Sequence, residues 1–328
     1  MGENKASQND DSAESEENSS NQYSELLLQL RKILGSCNLN FLFGAGVNGG
    51  AFPSFGGFNK TLKKIEELGL CKDVGIENAL RGCSDEEKRK DILEVFVDEY
   101  NGYKNYELNH VSLVNLGDLL HNASRIVDKA ENRHPESKRV NIFTLNYDRI
   151  VEDLLDKGEE LSYALTQDKS KGKLPFNVVG YDTVKHAFIP TFCVYKLHGS
   201  VTSDRILHAD NIVFPSQDKL GNILSHFYET LFAMKGELLR KNSVLFVIGY
   251  SGADDHVNGI VEDAIANGLT VYWLQYKVTD EIPGEMKKKV IVVPPASSKI
   301  KHCKIQQKLW LIFSKRRCMH DYRKSDQN

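Results

Sequence analysis

The sequence contains no C-x-x-C pair. Its six cysteines stand apart at positions 37, 71, 83, 193, 303 and 318. Such spacing supplies neither the paired thiolates of a structural zinc site nor the framework of a disulfide-stapled secreted domain. No zinc is therefore expected, no residue is assigned as a metal ligand, and the cysteine usage fits a reducing, cytoplasmic setting. Long apolar runs are missing too. None reaches the ~18–20 residues that cross a bilayer, and no charged-then-apolar leader opens the chain, so no membrane partner is expected. A strong charge of either sign is also lacking. Net charge is −3 over 328 residues, which gives no field favouring nucleic acid, and no direct nucleic-acid binding is expected. Internal repeats are absent.

What is present is uneven in texture. Residues 1–22 are acidic and polar, with almost nothing to bury, and read as a disordered tail. At the other end, residues 296–328 form a basic segment with Lys315, Arg316, Arg317, Arg323 and Lys324. It is read as a solvated terminal helix, with a partner surface as the alternative. Between 59 and 138, "NKTLKKIEELGL", "DEEKRKDILEVFVDEY" and "NHVSLVNLGDLLHNASRIVDKA" are amphipathic at helical period, which predicts a helical insertion. On either side lie short apolar runs: "LNFLF", "VNIFTLN", "IPTFCVYKL", "VLFVIGY", "TVYWLQ" and "VIVVP". Near-continuous hydrophobicity marks strands buried on both faces. Helical stretches alternate with several of them, which predicts an α/β fold with a doubly wound, Rossmann-like parallel sheet. The sheet domain comes in two parts, 23–58 and 139–295, separated by the insertion.

Ligands of such sheets bind outside the carboxyl ends of the strands. Four runs end in unusual polar or glycine-rich residues: "FGAG", "TLNYD", "KLHGS" and "VIGYSGADDH". The stretch "FLFGAGVNGGAFPSF" (41–55) raises the sharpest question. Its bare backbone can cradle a phosphate with amide N–H groups, or it can be a tight turn without a ligand. It is not an ordinary dehydrogenase fingerprint, because the acid expected about twenty residues on is only Glu66 or Glu67, within a predicted helix. Each other end has a bland reading as well. Asp148 can cap the following helix, Asn146 can form an Asx-turn, and Asp254 or Asp255 can cap another helix. His198 can be a structural core histidine, although Gly199 beside it suggests room for a ligand.

Taken together and in this order, "GAG", "FPSF", "LNYD", "KLHGS" and "GYS" resemble the sirtuin superfamily. The spacing is most similar to the bacterial sirtuin-like NADase domains of anti-phage defence proteins. The resemblance covers roughly 38–60 and 139–275. It implies NAD as substrate, with Gly44, Ala45 and Gly46 at the pyrophosphate and Pro53 and Phe55 over the nicotinamide. It further implies Asn146 and Asp148 beside the nicotinamide ribose, His198 as the catalytic histidine, and Gly249 and Ser251 toward the adenosine. Asn48 stands where sirtuins have a serine and is counted among the NAD-binding residues. Gly56 replaces an arginine and Leu145 a glutamine, and the four-cysteine zinc module is missing.

These readings lead to one expectation and two alternatives. The expected activity is an NAD glycohydrolase that yields nicotinamide and ADP-ribose, a regulated NAD-depleting effector of anti-phage defence. Asn146, His198 and Asp148 would be its catalytic residues, and a homo-oligomer or a regulatory protein partner its means of control. One alternative is a non-catalytic module that binds NAD or ADP-ribose as a sensor or scaffold. The other, NAD-dependent protein deacylation, is disfavoured by the missing zinc cysteines.

Overall fold

The apolar runs become one sheet. In the computed structural model, which describes residues 33–129, 133, 138–156, 176–179, 191–213, 228–277 and 282–295, seven strands pair side by side. They are β1 (Asn38–Phe43), β2 (Val140–Thr144), β3 (Phe176–Val179), β4 (Phe192–Lys196), β5 (Ser243–Ile248), β6 (Thr270–Leu274) and β7 (Ile291–Val293). Their order is β3-β4-β2-β1-β5-β6-β7, and every pairing is parallel. The predicted tail at 1–22 and basic segment at 296–328 lie outside the described residues.

Every residue of β1, β2, β4 and β5 is buried. The strand period of two divides them between two cores. Leu39, Phe41, Phe43, Val244, Phe246 and Ile248 face one, whereas Leu42, Leu245 and Val247 face the other. The chain between β1 and β2 covers the first face with α1 (Asn59–Glu67), α2 (Gly75–Arg81), α3 (Glu86–Asn101) and α4 (Val111–Lys129). After β2, α5 (Ile150–Asp156) joins the same face through Ile150, Val151, Leu154 and Leu155. Helices α6 (Tyr228–Leu238) and α7 (Asp255–Ala266) cover the second face with Leu231, Met234, Leu238, Val257, Val261 and Ala264. The sheet is thus doubly wound. The helices between β1 and β2 carry no strand among the described residues, yet Ile65, Leu80, Phe96 and Leu120 merge into the sheet's own core.

A buried amide pair sets the register between β1 and β2. Asn40, opposite Asn141, accepts from the Asn141 amide at 2.9 Å and donates to the Val244 carbonyl at 3.1 Å. With both partners satisfied, a one-residue slip would strand two polar groups in the core.

From β1 the chain winds outward through β2 to β3 at the margin, steps back to β4, then returns to lay β5 on the opposite flank of β1. The order reverses between β1 and β5. In open α/β sheets this reversal opens a crevice at the carboxyl ends of the two strands.

Candidate functional site

Glycines meet where β1 and β5 end. A Cβ added to Gly44 would lie 2.5 Å from the Gly249 carbonyl oxygen and 2.7 Å from Tyr250 Cα. One added to Gly46 would lie 2.9 Å from Gly249 Cα. Gly249 has φ +66°, and its added Cβ would sit 2.2 Å from the Val47 amide nitrogen. Real side chains do not approach backbone so closely, so the bare residues let two strand ends touch. The Gly44 amide donates to the Ile248 carbonyl at 3.1 Å and the Gly46 amide to the Gly249 carbonyl at 2.9 Å. Two of the three amides in the Gly-Ala-Gly turn are thus already held by protein. The sequence allows a phosphate cradle or a tight turn here, and contact between backbones is a third use.

The end of β2 leans into this crossing. The Asn146 side-chain amide donates to the Gly44 carbonyl at 3.3 Å, while its backbone amide donates to Thr144 Oγ1 at 3.1 Å. Asp148 is buried and fully engaged. Its Oδ1 accepts from the Ile150 amide at 3.0 Å, an Asx-turn at the entrance to α5 where an N-cap was expected, and Oδ2 accepts from Asn48 Nδ2 at 2.9 Å. Asn48 is buried with it. Between them Tyr147 donates its hydroxyl to the Val213 carbonyl at 2.9 Å, and burial raises its phenol well above the ordinary range.

His198 follows β4 as Asn146 follows β2. Thr144 pairs with Lys196, so the two residues stand two positions past matched ends of adjacent strands. The loops are laced together: Leu197 donates to the Thr144 carbonyl at 2.9 Å, and Val201 to the Tyr147 carbonyl at 2.9 Å. His198 is 4% exposed. Gly199, expected to leave room for a ligand, instead admits protein, since an added Cβ would lie 2.0 Å from the Asn211 carbonyl oxygen.

One partner of His198 is a residue that sequence reasoning missed. His198 Nε2 faces His256 Nε2 at 2.9 Å, and the Asp254 carboxylate lies 3.9 Å from the same nitrogen. Asp254 occupies the N-cap position of α7 but makes no side-chain capping bond. Its backbone is fixed by the Tyr250 hydroxyl, which accepts from the Asp254 amide at 3.1 Å and lies 3.0 Å from Asn258 Oδ1. The available signal was "DDH" at a strand end, an acid and a histidine delivered to the edge that already held His198.

Beneath the site lies a buried ion pair. Lys196, the last residue of β4, donates to the Asp148 carbonyl and stands 3.5 Å from the Glu152 carboxylate. Lysine and glutamate are each 1% exposed.

Phe55 is half-buried. Its ring stacks on Phe96 at 5.5 Å with 2° between the planes and meets Tyr147 edge-on at 6.4 Å. Pro53 precedes it and packs over Gly57, and Ser251 is exposed two residues past Gly249. The structure therefore joins Gly44, Gly46, Gly249 and Asn146 at one crossing and ties Asn48 to Asp148. It sets His198 against Asp254 and His256.

Residues 140–293 match the family model described as SIR2-like domain. The match includes Asn146, Asp148, His198, Gly249 and Ser251; the Gly44–Phe55 segment precedes it. No curated protein matches the chain. The chain is also similar to a solved structure described as "Structural Basis for the Mechanism and Regulation of Sir2 Enzymes". Identity is 12% and the TM-score 0.45, with 88% of this chain and 95% of that one covered.

Proposed function

We propose that the chain is an NAD glycohydrolase, cleaving the bond between nicotinamide and ribose to give nicotinamide and ADP-ribose. The observation that carries this reading is the placement of Asn146 at the Gly44–Gly249 crossing, with His198 at the matched position of the next strand end. Both stand at the mouth of the switch point, within a stretch matching SIR2-like domains, a family of NAD-dependent enzymes. Two of the four sequence-predicted strand ends supply the NAD-binding contacts in this proposal, those after β1 and β5. Gly44, Ala45, Gly46 and Asn48 lie toward the pyrophosphate, Pro53 and Phe55 toward the nicotinamide, and Gly249 and Ser251 toward the adenosine.

The chemistry demands little acid catalysis. Nicotinamide in oxidised NAD is cationic, and the electron pair of the breaking C1′–N bond neutralises it as it departs. Positive charge passes to a ribosyl centre of oxocarbenium character, as in glycoside cleavage. Water oxygen then bonds to C1′ and its proton must leave. Asn146 orients that water and the ribose hydroxyls, and neutral His198 imidazole accepts the proton, directly or through His256. Asp148, held by Asn48 and the Ile150 amide, steadies the loop that carries Asn146.

An enzyme of this kind exhausts the cell's NAD unless restrained. We therefore assign it a regulated role, an effector of anti-phage defence controlled by self-assembly or a protein partner. A second reading has one observation in its favour: both Asp148 oxygens and the His198 ring have protein partners, as in a module that only binds NAD. Deacylation is disfavoured by the cysteine spacing, which offers no C-x-x-C pair for a structural zinc module. Nicotinamide release from NAD by the purified chain, followed by chromatography, decides between them. Release by wild type and its loss of ~10²–10⁴-fold in Asn146→Ala, with NAD binding retained by calorimetry, is the expected result. Binding without release from wild type would leave the sensor reading.

A further inference from the structure

His198, Asp254 and His256 come from two chain segments, the β4 end and the start of α7. One donor atom of each lies within 4.8 Å of the other two. Two imidazole nitrogens at 2.9 Å cannot both present lone pairs without repulsion, so something positive, a proton or a metal ion, must lie between them. The Asp254 carboxylate, 3.9 Å from the same nitrogen, supplies a third donor atom. Asp254 is not drawn there by its helix, because it forgoes the capping bond that its position offers. Its backbone is locked by Tyr250, and burial of His198 and Asp254 excludes most competing water.

We propose that these three side chains bind one divalent transition-metal ion, zinc by donor preference, and that the ion inhibits the enzyme by removing His198 from proton transfer. Two imidazoles and a carboxylate are borderline donors that suit zinc, while calcium and magnesium favour all-oxygen sets. Tetrahedral zinc with bonds of about 2.0–2.1 Å places ligand atoms about 3.3 Å apart. The two nitrogens therefore open slightly, and the carboxylate closes by about half an ångström on His198 and by up to about 1.5 Å on His256. Three protein ligands leave a fourth position for water. The site differs from the zinc module sought in the cysteines: it contains no sulfur, and no cysteine spacing announces it. The inhibitory half of the proposal rests on the NAD glycohydrolase reading, whereas metal binding does not.

The test uses the full chain, freed of metal with chelator, then titrated with cobalt(II) and with zinc. Expected are one equivalent of cobalt with visible d–d bands and no thiolate charge-transfer band, and a higher Tm with zinc. His256→Ala and Asp254→Asn should each weaken binding by at least about 100-fold, more than an outer-shell change costs. Should His256→Ala fail to fold, Asp254→Asn carries the comparison. Absence of binding by wild type, a thiolate band, or wild-type affinity in both variants overturns the site. Nicotinamide release is then compared in chelator and in stoichiometric zinc. Release in chelator that falls with zinc supports inhibition, and release unchanged or stimulated by zinc overturns it. Cobalt binding at this site with no release under either condition sinks the glycohydrolase reading and the inhibition that rests on it, and leaves the metal site standing.

Discussion

Three alanine substitutions separate two ways in which a glycine is required. Gly44 has φ −103° and ψ −179°, an extended conformation open to any residue, so Gly44→Ala carries no backbone strain. Its Cβ would meet the Gly249 carbonyl oxygen at 2.5 Å, and the neighbour is main chain one residue past the parallel β1–β5 ladder. Forcing the two ends apart should cost ~1–3 kcal/mol, the range for overpacking. Gly69→Ala is the opposite case. Its φ is +75° with nothing within 4 Å of the added atom, so only the left-handed penalty of ~1–2 kcal/mol applies. Gly249→Ala combines both, with φ +66° and backbone at 2.2 Å, and should cost roughly 2–5 kcal/mol. Urea unfolding at constant m-value measures all three. Calorimetry should show weakened NAD binding for Gly44→Ala and Gly249→Ala, and none of that effect for Gly69→Ala. A Gly249→Ala cost equal to that of Gly69→Ala would refute the close-contact argument, as would a neutral Gly44→Ala.

Other perturbations probe separate parts. Lys196→Met leaves the Glu152 carboxylate buried without its cation. Breaking such a pair costs ~3–5 kcal/mol. At about 2.1 cal/mol/K per residue this lowers Tm by roughly 4–7 °C. An unchanged melting curve would show the pair to be dispensable. Burial raises the Asp118 carboxyl from 3.8 to about 6. The folded state therefore binds the proton more tightly than the unfolded one, and this group adds stability as pH falls from above 6 toward 4. Asp118→Asn should raise Tm at pH 7.5 and lose that advantage by pH 4, and a gain independent of pH would discount the shift. Phe55→Ala should raise the KM for NAD more than it lowers kcat, because an apolar cover serves ground and transition states alike. A lower Tm with unaltered KM would mark Phe55 as Phe96's packing partner only.

Much of the sheet was legible because β1, β2, β4 and β5 are buried along their whole length, and continuous runs such as "SVLFVI" carry that signature. β3 was missed, for four residues at the sheet's margin leave little pattern to read. The polar strand ends were legible for a topological reason, since a parallel sheet delivers them all to one edge. Their partners were not. That Gly44 needs bareness because of Gly249, or that His198 faces His256, depends on which loops the winding brings together, and no local window contains that. Asp254 illustrates the difficulty. An acid before a helix reads as a cap, and only the fold shows its carboxylate beside an imidazole.

The pairing of β1 with β5 joins segments far apart in the chain: Asn40 donates to Val244, 204 positions later. Closing so long a loop comes late in folding, after local helices and hairpin-scale contacts have formed. Synthesis proceeds from the N-terminus at about 5–20 residues per second. Gly44 and Asn146 thus leave the ribosome well before β5 exists to complete the crossing. A nascent or prematurely terminated chain has no crevice to fill, and the site comes into being only when almost the whole sheet has been translated.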